Sequence, residues 1–170
     1  MSLIVGCDPG FSGAFCFISE NSQGLDLKTF PMHILSAPKT VLDEVAIKNL
    51  LKMLGQDQIT HFFIERAIVM PGQGVVSSGR FMEQYGFLRG LCVGLGIPYT
   101  VISSVRWKKV LMDGMAKEKE ASLVRLAQLY PELKLAGPKV SRIGQADAVL
   151  IAHYGRQTLI SPIGHNNKED

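Results

Sequence analysis

Two short apolar runs, LIVGC at 3–7 and ITHFFI at 59–64, each end on a carboxylate, Asp8 and Glu65. Runs of this length with little polar alternation read as strands buried on both faces, and such strands belong in a sheet covered by helices on each side. The turn DPGFSG at 8–13 breaks the first run, and 14–18 (AFCFI) reads as a return strand, making a hairpin. Residues 25–30 read as a third strand and 31–40 as a loop. Apolar positions 46, 47, 50, 51 and 54 predict a helix over 43–54. Past the strand at 59–65, residues 67–78, rich in Gly, Pro and Ser, read as a loop, and a helix is expected over 79–95. A strand at 97–103, helices at 104–112 and 117–129, a linker at 131–141 and a last helix at 144–156 complete the reading. Strands first, then strands alternating with helices, predict an α/β domain: a mixed central sheet with an antiparallel hairpin start and flanking helices.

At 170 residues the chain has room for one domain with a sizeable core, expected over 1–158, followed by a polar, flexible tail at 159–170. Hydrophobic residues at 46% against 19% charged exclude a disordered chain. Cys7, Cys16 and Cys92 are odd in number and form no CxxC pair, so they read as buried free thiols in a reducing compartment. With no signal or transit segment before the first strand and no apolar run of membrane-spanning length, a cytoplasmic protein of a bacterium or phage is expected. The formal net charge of +3 permits a polyanionic partner if the basic groups cluster.

Three acids stand against apolar neighbours: Asp8, Glu65, and Asp147 ahead of AVLIA. A carboxylate in such a setting is costly unless it is paired or binds a cation. If the strands at 3–7 and 59–65 are parallel neighbours, Asp8 and Glu65 share the carboxyl edge of the sheet, where open α/β sheets bind ligands. A helix packed there would add Asp147. Three clustered carboxylates suit hard Mg²⁺ or Mn²⁺, and a pair of such ions suits phosphodiester cleavage. Each acid also has a plainer reading: Asp8 as a turn cap, Glu65 as a partner of Arg66 or a lysine, Asp147 as a charge at a helix N-terminus.

The stretches GCDPGFSGA (6–14), FIERA (63–67), Ser78-Gly79 with Tyr85-Gly86, VISSVRWKK (101–109), KEKEAS (117–122) and GQADAVLIAHYG (144–155) occur in order along nearly the whole chain. Together they resemble the RuvC-type Holliday junction resolvases of the RNase H-like superfamily, and among these the plant monokaryotic chloroplast branch. The resemblance implies a homodimer that nicks two opposed strands of a four-way junction with divalent metal, two ions to a site. It implies that Asp8, Glu65 and Asp147 are the metal-binding acids, and that Lys108 supports catalysis. Many bacterial members carry an acid or histidine three residues before the late acid; here that position is Gly144.

Basic residues cluster near these stretches: Arg106, Lys108 and Lys109, then Lys117 and Lys119, then Lys134, Lys139 and Arg142. With Ser78 and Arg80 at the start of the 79–95 helix, they form the expected DNA-contact set. Trp107 either stacks on a base or, more in keeping with its pattern, anchors an amphipathic helix. The loop at 67–78 is a candidate to reach into the junction and read bases, or a plain connector. In the 79–95 helix, Phe81, Tyr85, Leu88, Cys92 and Leu95 form one stripe and Gly86, Gly90 and Gly94 another. One would bury against the sheet and the other could meet a partner helix across a two-fold axis.

Other functions compete. An actin-like ATPase or sugar kinase also opens on a strand and a Gly-rich Asp turn, but needs a duplicated domain for which 170 residues leave no room. A junction-binding protein that does not cut, and an RNase H-like nuclease acting on flaps, R-loops or RNA–DNA hybrids, both remain open.

Overall fold

The structure is a computed structural model that describes residues 3–37 and 39–160. Five strands form one sheet: β1 (Leu3–Asp8), β2 (Ala14–Asn21), β3 (Gly24–Pro31), β6 (Ile59–Glu65) and β7 (Tyr99–Ile102), in the order β3-β2-β1-β6-β7. Here β4 (Ile34–Leu35) and β5 (Val41–Leu42) are a small separate ribbon inside the stretch expected to be loop. The hairpin pairings β1–β2 and β2–β3 are antiparallel, while β1–β6 and β6–β7 are parallel. The expected mixed α/β architecture therefore stands, with β1 central and flanked by β2 and β6.

Strand alternation divides the core into two layers. Val5, Cys7, Phe15, Phe17, Phe62 and Ile64 face one way and pack against α1 (Glu44–Met53) and α2 (Val75–Gly94), chiefly through Ile47, Leu51, Leu88 and Cys92. Ile4, Phe63, Ala14, Cys16 and Ile18 face the other way, toward α3 (Ser104–Leu111), α4 (Ala121–Leu129) and α5 (Lys139–Ile160). Both sheet faces are covered, which is why the strands carry apolar runs instead of alternating patterns.

The second interface is built from small residues. A side chain at Gly6 would collide with the backbone of Ala148 and Ala152, and one at Gly155 with the ring of Phe63. Ala14 and Cys16 meet Ala146, Ala148 and Ala152 across the same seam. Small groups on both sides let α5 lie close to the sheet centre.

Three helices differ from the sequence reading by more than a residue, and the strand expected over 97–103 is confined to Tyr99–Ile102. The helix expected over 79–95 starts at Val75, so the preceding loop is shorter. The helix expected from 117 starts at Ala121, because 117–120 form bends and turns. The last helix runs from Lys139 to Ile160, absorbing the end of the expected linker and the first two residues of the expected tail. Residues 161–170 of that tail lie outside the described residues. Among the described residues no helix is long and apolar enough to cross a membrane.

Candidate active site

Parallel pairing of β1 with β6 sets Cys7 opposite Ile64, so the next residues, Asp8 and Glu65, stand side by side at the carboxyl edge of the sheet. Asp8 opens the tight turn to β2. Gly10 there adopts φ 118°, a conformation that side-chain-bearing residues rarely take, and its carbonyl accepts from Gly13 N–H at 3.1 Å. The close seat of α5 brings Asp147 to the same edge. It lies two turns inside the helix, not at its N-terminus, so the macrodipole does not account for it.

Asp8, Asp147 and Lys108 line a cleft of about 650 Å³, together with Ser12, Lys109, Lys117, Lys119, Ser122 and Gly144. Glu65 stands beside the cleft, half-buried, with its Oε2 accepting from Trp107 Nε1–H at 2.7 Å. Ser122 Oγ–H donates to Asp147 Oδ1. Lys108 Nζ sits 5.1 Å from the centroid of the Trp107 ring, a cation–π distance.

The charges are coupled. Burial raises the Asp8 carboxyl well above its ordinary range, Asp147 and Glu65 push it further, and Lys108 opposes them. Burial also raises Glu65, with the Trp107 hydrogen bond and Lys108 pulling it back and Asp147 adding to the rise. Asp147 is raised by burial and held down by Ser122 and Lys108. Lys108 is thus the cation that all three acids feel.

The donor set is all oxygen, which suits a hard divalent cation. Among the described residues, however, no three His, Cys, Asp or Glu side chains close around a common point at ligating distance. Like charges at short range repel, and one oxygen each of Glu65 and Asp147 is already engaged by a protein donor.

The expected DNA-contact residues divide. Lys109, Lys117 and Lys119 rim the cleft with Lys108, interleaved with Asp113 and Glu118. Lys139 is instead paired with Glu120 at 2.6 Å. Arg142 and Lys134 line a separate groove between α4 and α5, and Arg80 a small cavity with Phe11 and Gln84. Arg106 is exposed on α3 outside the cleft lining, and Ser78 sits half-buried in the first turn of α2. Trp107 is a correction: it is 0% exposed, so its ring cannot stack on a base. Its anchoring role holds, with Ile102, Leu111 and Leu150 in the same cluster.

Ser122 was not singled out by the sequence. Its signal lies in its spacing: it shares a helix face with Leu126 and Leu129, and it is 3% exposed. A hydroxyl on a core-facing stripe needs a partner, and Asp147 is that partner. Gly144 also gains a reason. A side chain there would collide with the Ser12 carbonyl, so this turn and a ligand at 144 exclude one another.

No protein-family model matches the sequence, and no curated protein matches it either. Solved structures do. The chain is similar to Thermus thermophilus RuvC at 16% identity and a TM-score of 0.59, over 94% of this chain and 96% of that one. It is similar to T. thermophilus RuvC in complex with a Holliday junction substrate at 13% identity and a TM-score of 0.62, over 93% and 95%. These likenesses establish the class of fold: the chain has a RuvC-like fold, built on the mixed α/β sheet expected from its element order.

Proposed function

We propose that this protein is a structure-selective endonuclease that resolves four-way DNA junctions by divalent-metal-dependent cleavage of opposed strands. The observation that carries the reading is the grouping of Asp8, Glu65 and Asp147 around Lys108 at the sheet edge, beside a lysine-rimmed cleft. The RuvC-like fold and the ordered sequence stretches support it, and those stretches favour the plant chloroplast branch.

Asp8, Glu65 and Asp147 would hold Mg²⁺ or Mn²⁺, which when bound supplies Lewis-acid charge for phosphodiester hydrolysis. Lys108 balances the acids and presents an ammonium to a phosphate or to the attacking water. Lys109, Lys117 and Lys119 neutralise phosphates of the arm entering the cleft. The loop after Glu65 exposes Ile68, Val69 and Met70, apolar side chains suited to wedging between bases at the crossover. The outward side of α2, where Gly86, Gly90 and Gly94 are exposed and open, is the proposed two-fold contact between protomers, which would set two such clefts against two strands. Three free, buried cysteines fit work in a reducing cytoplasm.

The test is a nicking assay with Mg²⁺ or Mn²⁺ on a synthetic four-way junction, with a flap, an R-loop and an RNA–DNA hybrid as competitors. Paired nicks in the junction by the wild type and none by Asp8→Asn are expected. Preference for a competitor would reassign the substrate. Cutting by both proteins, or by neither, would remove Asp8 from the mechanism.

A further inference from the structure

Two of the three acids are each met by a buried donor that belongs to neither DNA nor metal. Trp107, 0% exposed, donates its only N–H to Glu65 Oε2 at 2.7 Å. Ser122, 3% exposed, donates its hydroxyl to Asp147 Oδ1. The donors come from α3 and α4, the two helices that bracket the loop carrying Lys117 and Lys119. Each bond leaves one carboxylate oxygen free: Oε1 of Glu65 and Oδ2 of Asp147. An indole N–H and a hydroxyl sunk in the core cannot turn to water, so releasing either bond leaves a buried donor unsatisfied. Each pairing therefore persists when a cation approaches.

We propose that Trp107 and Ser122 are positioning residues that each engage one carboxylate oxygen, so that the site favours single-oxygen coordination by Glu65 and Asp147 and prefers Mg²⁺ or Mn²⁺ to Ca²⁺. The inference rests on the reading of the three acids as metal ligands and adds what sets the choice of metal. Ca²⁺ accepts six to eight oxygens and commonly takes carboxylates in bidentate fashion, whereas Mg²⁺ demands near-octahedral geometry with few, single-oxygen protein ligands. A hydrogen bond to one oxygen of each acid occupies one of its lone pairs and draws charge from it, which disfavours bidentate coordination. Partners of this kind orient ligands, and their loss typically changes metal affinity by about 10–100-fold.

The test counts bound Mn²⁺ by loss of the free-ion electron paramagnetic resonance signal, on the full chain without DNA, and then titrates Ca²⁺ to displace it. Wild type, Ser122→Ala, Trp107→Phe and Asp8→Asn are compared, with circular dichroism to confirm folding. In Ser122→Ala and Trp107→Phe, Ca²⁺ should displace Mn²⁺ at a roughly tenfold lower Ca²⁺-to-Mn²⁺ ratio than in wild type. A merely structural role would lower both affinities together and leave that ratio unmoved, which overturns the proposal. Ser122→Ala removes a single oxygen and decides the matter if Trp107→Phe does not fold. Mn²⁺ bound equally well by Asp8→Asn would overturn the metal reading itself, and the proposal with it.

Discussion

Asp8 concentrates the cost of the site in one side chain. Its carboxyl is raised by burial and then by Asp147 and Glu65, so the folded protein resists its ionisation. A group whose pKa is higher folded than unfolded is at no disadvantage below its unfolded value, near about 4 for an aspartate, and destabilises the fold as pH rises through the raised folded value. With divalent ions chelated, Asp8→Asn should therefore melt above the wild type at pH 7. The gap should close as the pH falls below the ordinary carboxylate range. Each kcal/mol relieved corresponds to about 2–4 °C in a domain of this size. Calorimetry of both proteins across pH checks the sign, and equal melting at pH 7 would mean that Asp8 is not desolvated. The acids were legible in the sequence because carboxylates against apolar runs are conspicuous. Ser122 was not, because a serine in a helix is common and its burial depends on what packs above it.

At the scale of elements, glycines mark two opposite situations. On α2 a side chain at Gly86, Gly90 or Gly94 meets nothing within 4 Å, so the stripe is open. If the proposed two-fold contact lies on this stripe, Gly90→Leu leaves helix content unchanged by circular dichroism while shifting the protein from dimer to monomer in sedimentation velocity. A dimer that survives this change would move the contact elsewhere. On α5 and β1, Gly144 and Gly6 sit where any side chain strikes backbone. Gly144→Ala should cost about 1–3 kcal/mol in chemical denaturation, the usual range for overpacking. For the same reason, placing Asp at 144 should not create a fourth ligand. The 3.5-residue recurrence of the α2 stripe was readable beforehand. Which of its two sides faces the sheet was not, since that depends on the helix's rotation against Ile47, Leu51 and Phe62.

For the whole molecule, the net charge of +3 says little about the cleft, where Lys108, Lys109, Lys117 and Lys119 share the lining with Asp8, Asp113, Glu118 and Asp147, so the lysines can meet phosphates only where the acids are neutralised. Junction binding should weaken linearly in log–log salt plots. Lys117→Gln with Lys119→Gln should reduce that slope by about 0.9 for each lost contact to a duplex phosphate. An unchanged slope would place the DNA path elsewhere. Lys139 serves as an internal control: it lies outside the cleft lining, so it should contribute less to the slope when replaced.

What the sequence determined by itself was local or periodic: the buried strands, the hairpin at 8–13, the helical stripes and the acids at strand ends. These follow from short-range sterics and from which side chains avoid water. What the tertiary structure decided was every relation between distant segments. The register Cys7–Ile64 places Asp8 beside Glu65, and the small-residue seam between β1, β2 and α5 lets Asp147 join them. Trp107 and Ser122 acquire their roles from residues 42 and 25 positions away. Such partners are chosen by packing across the whole core, and no window of sequence contains both sides of the contact.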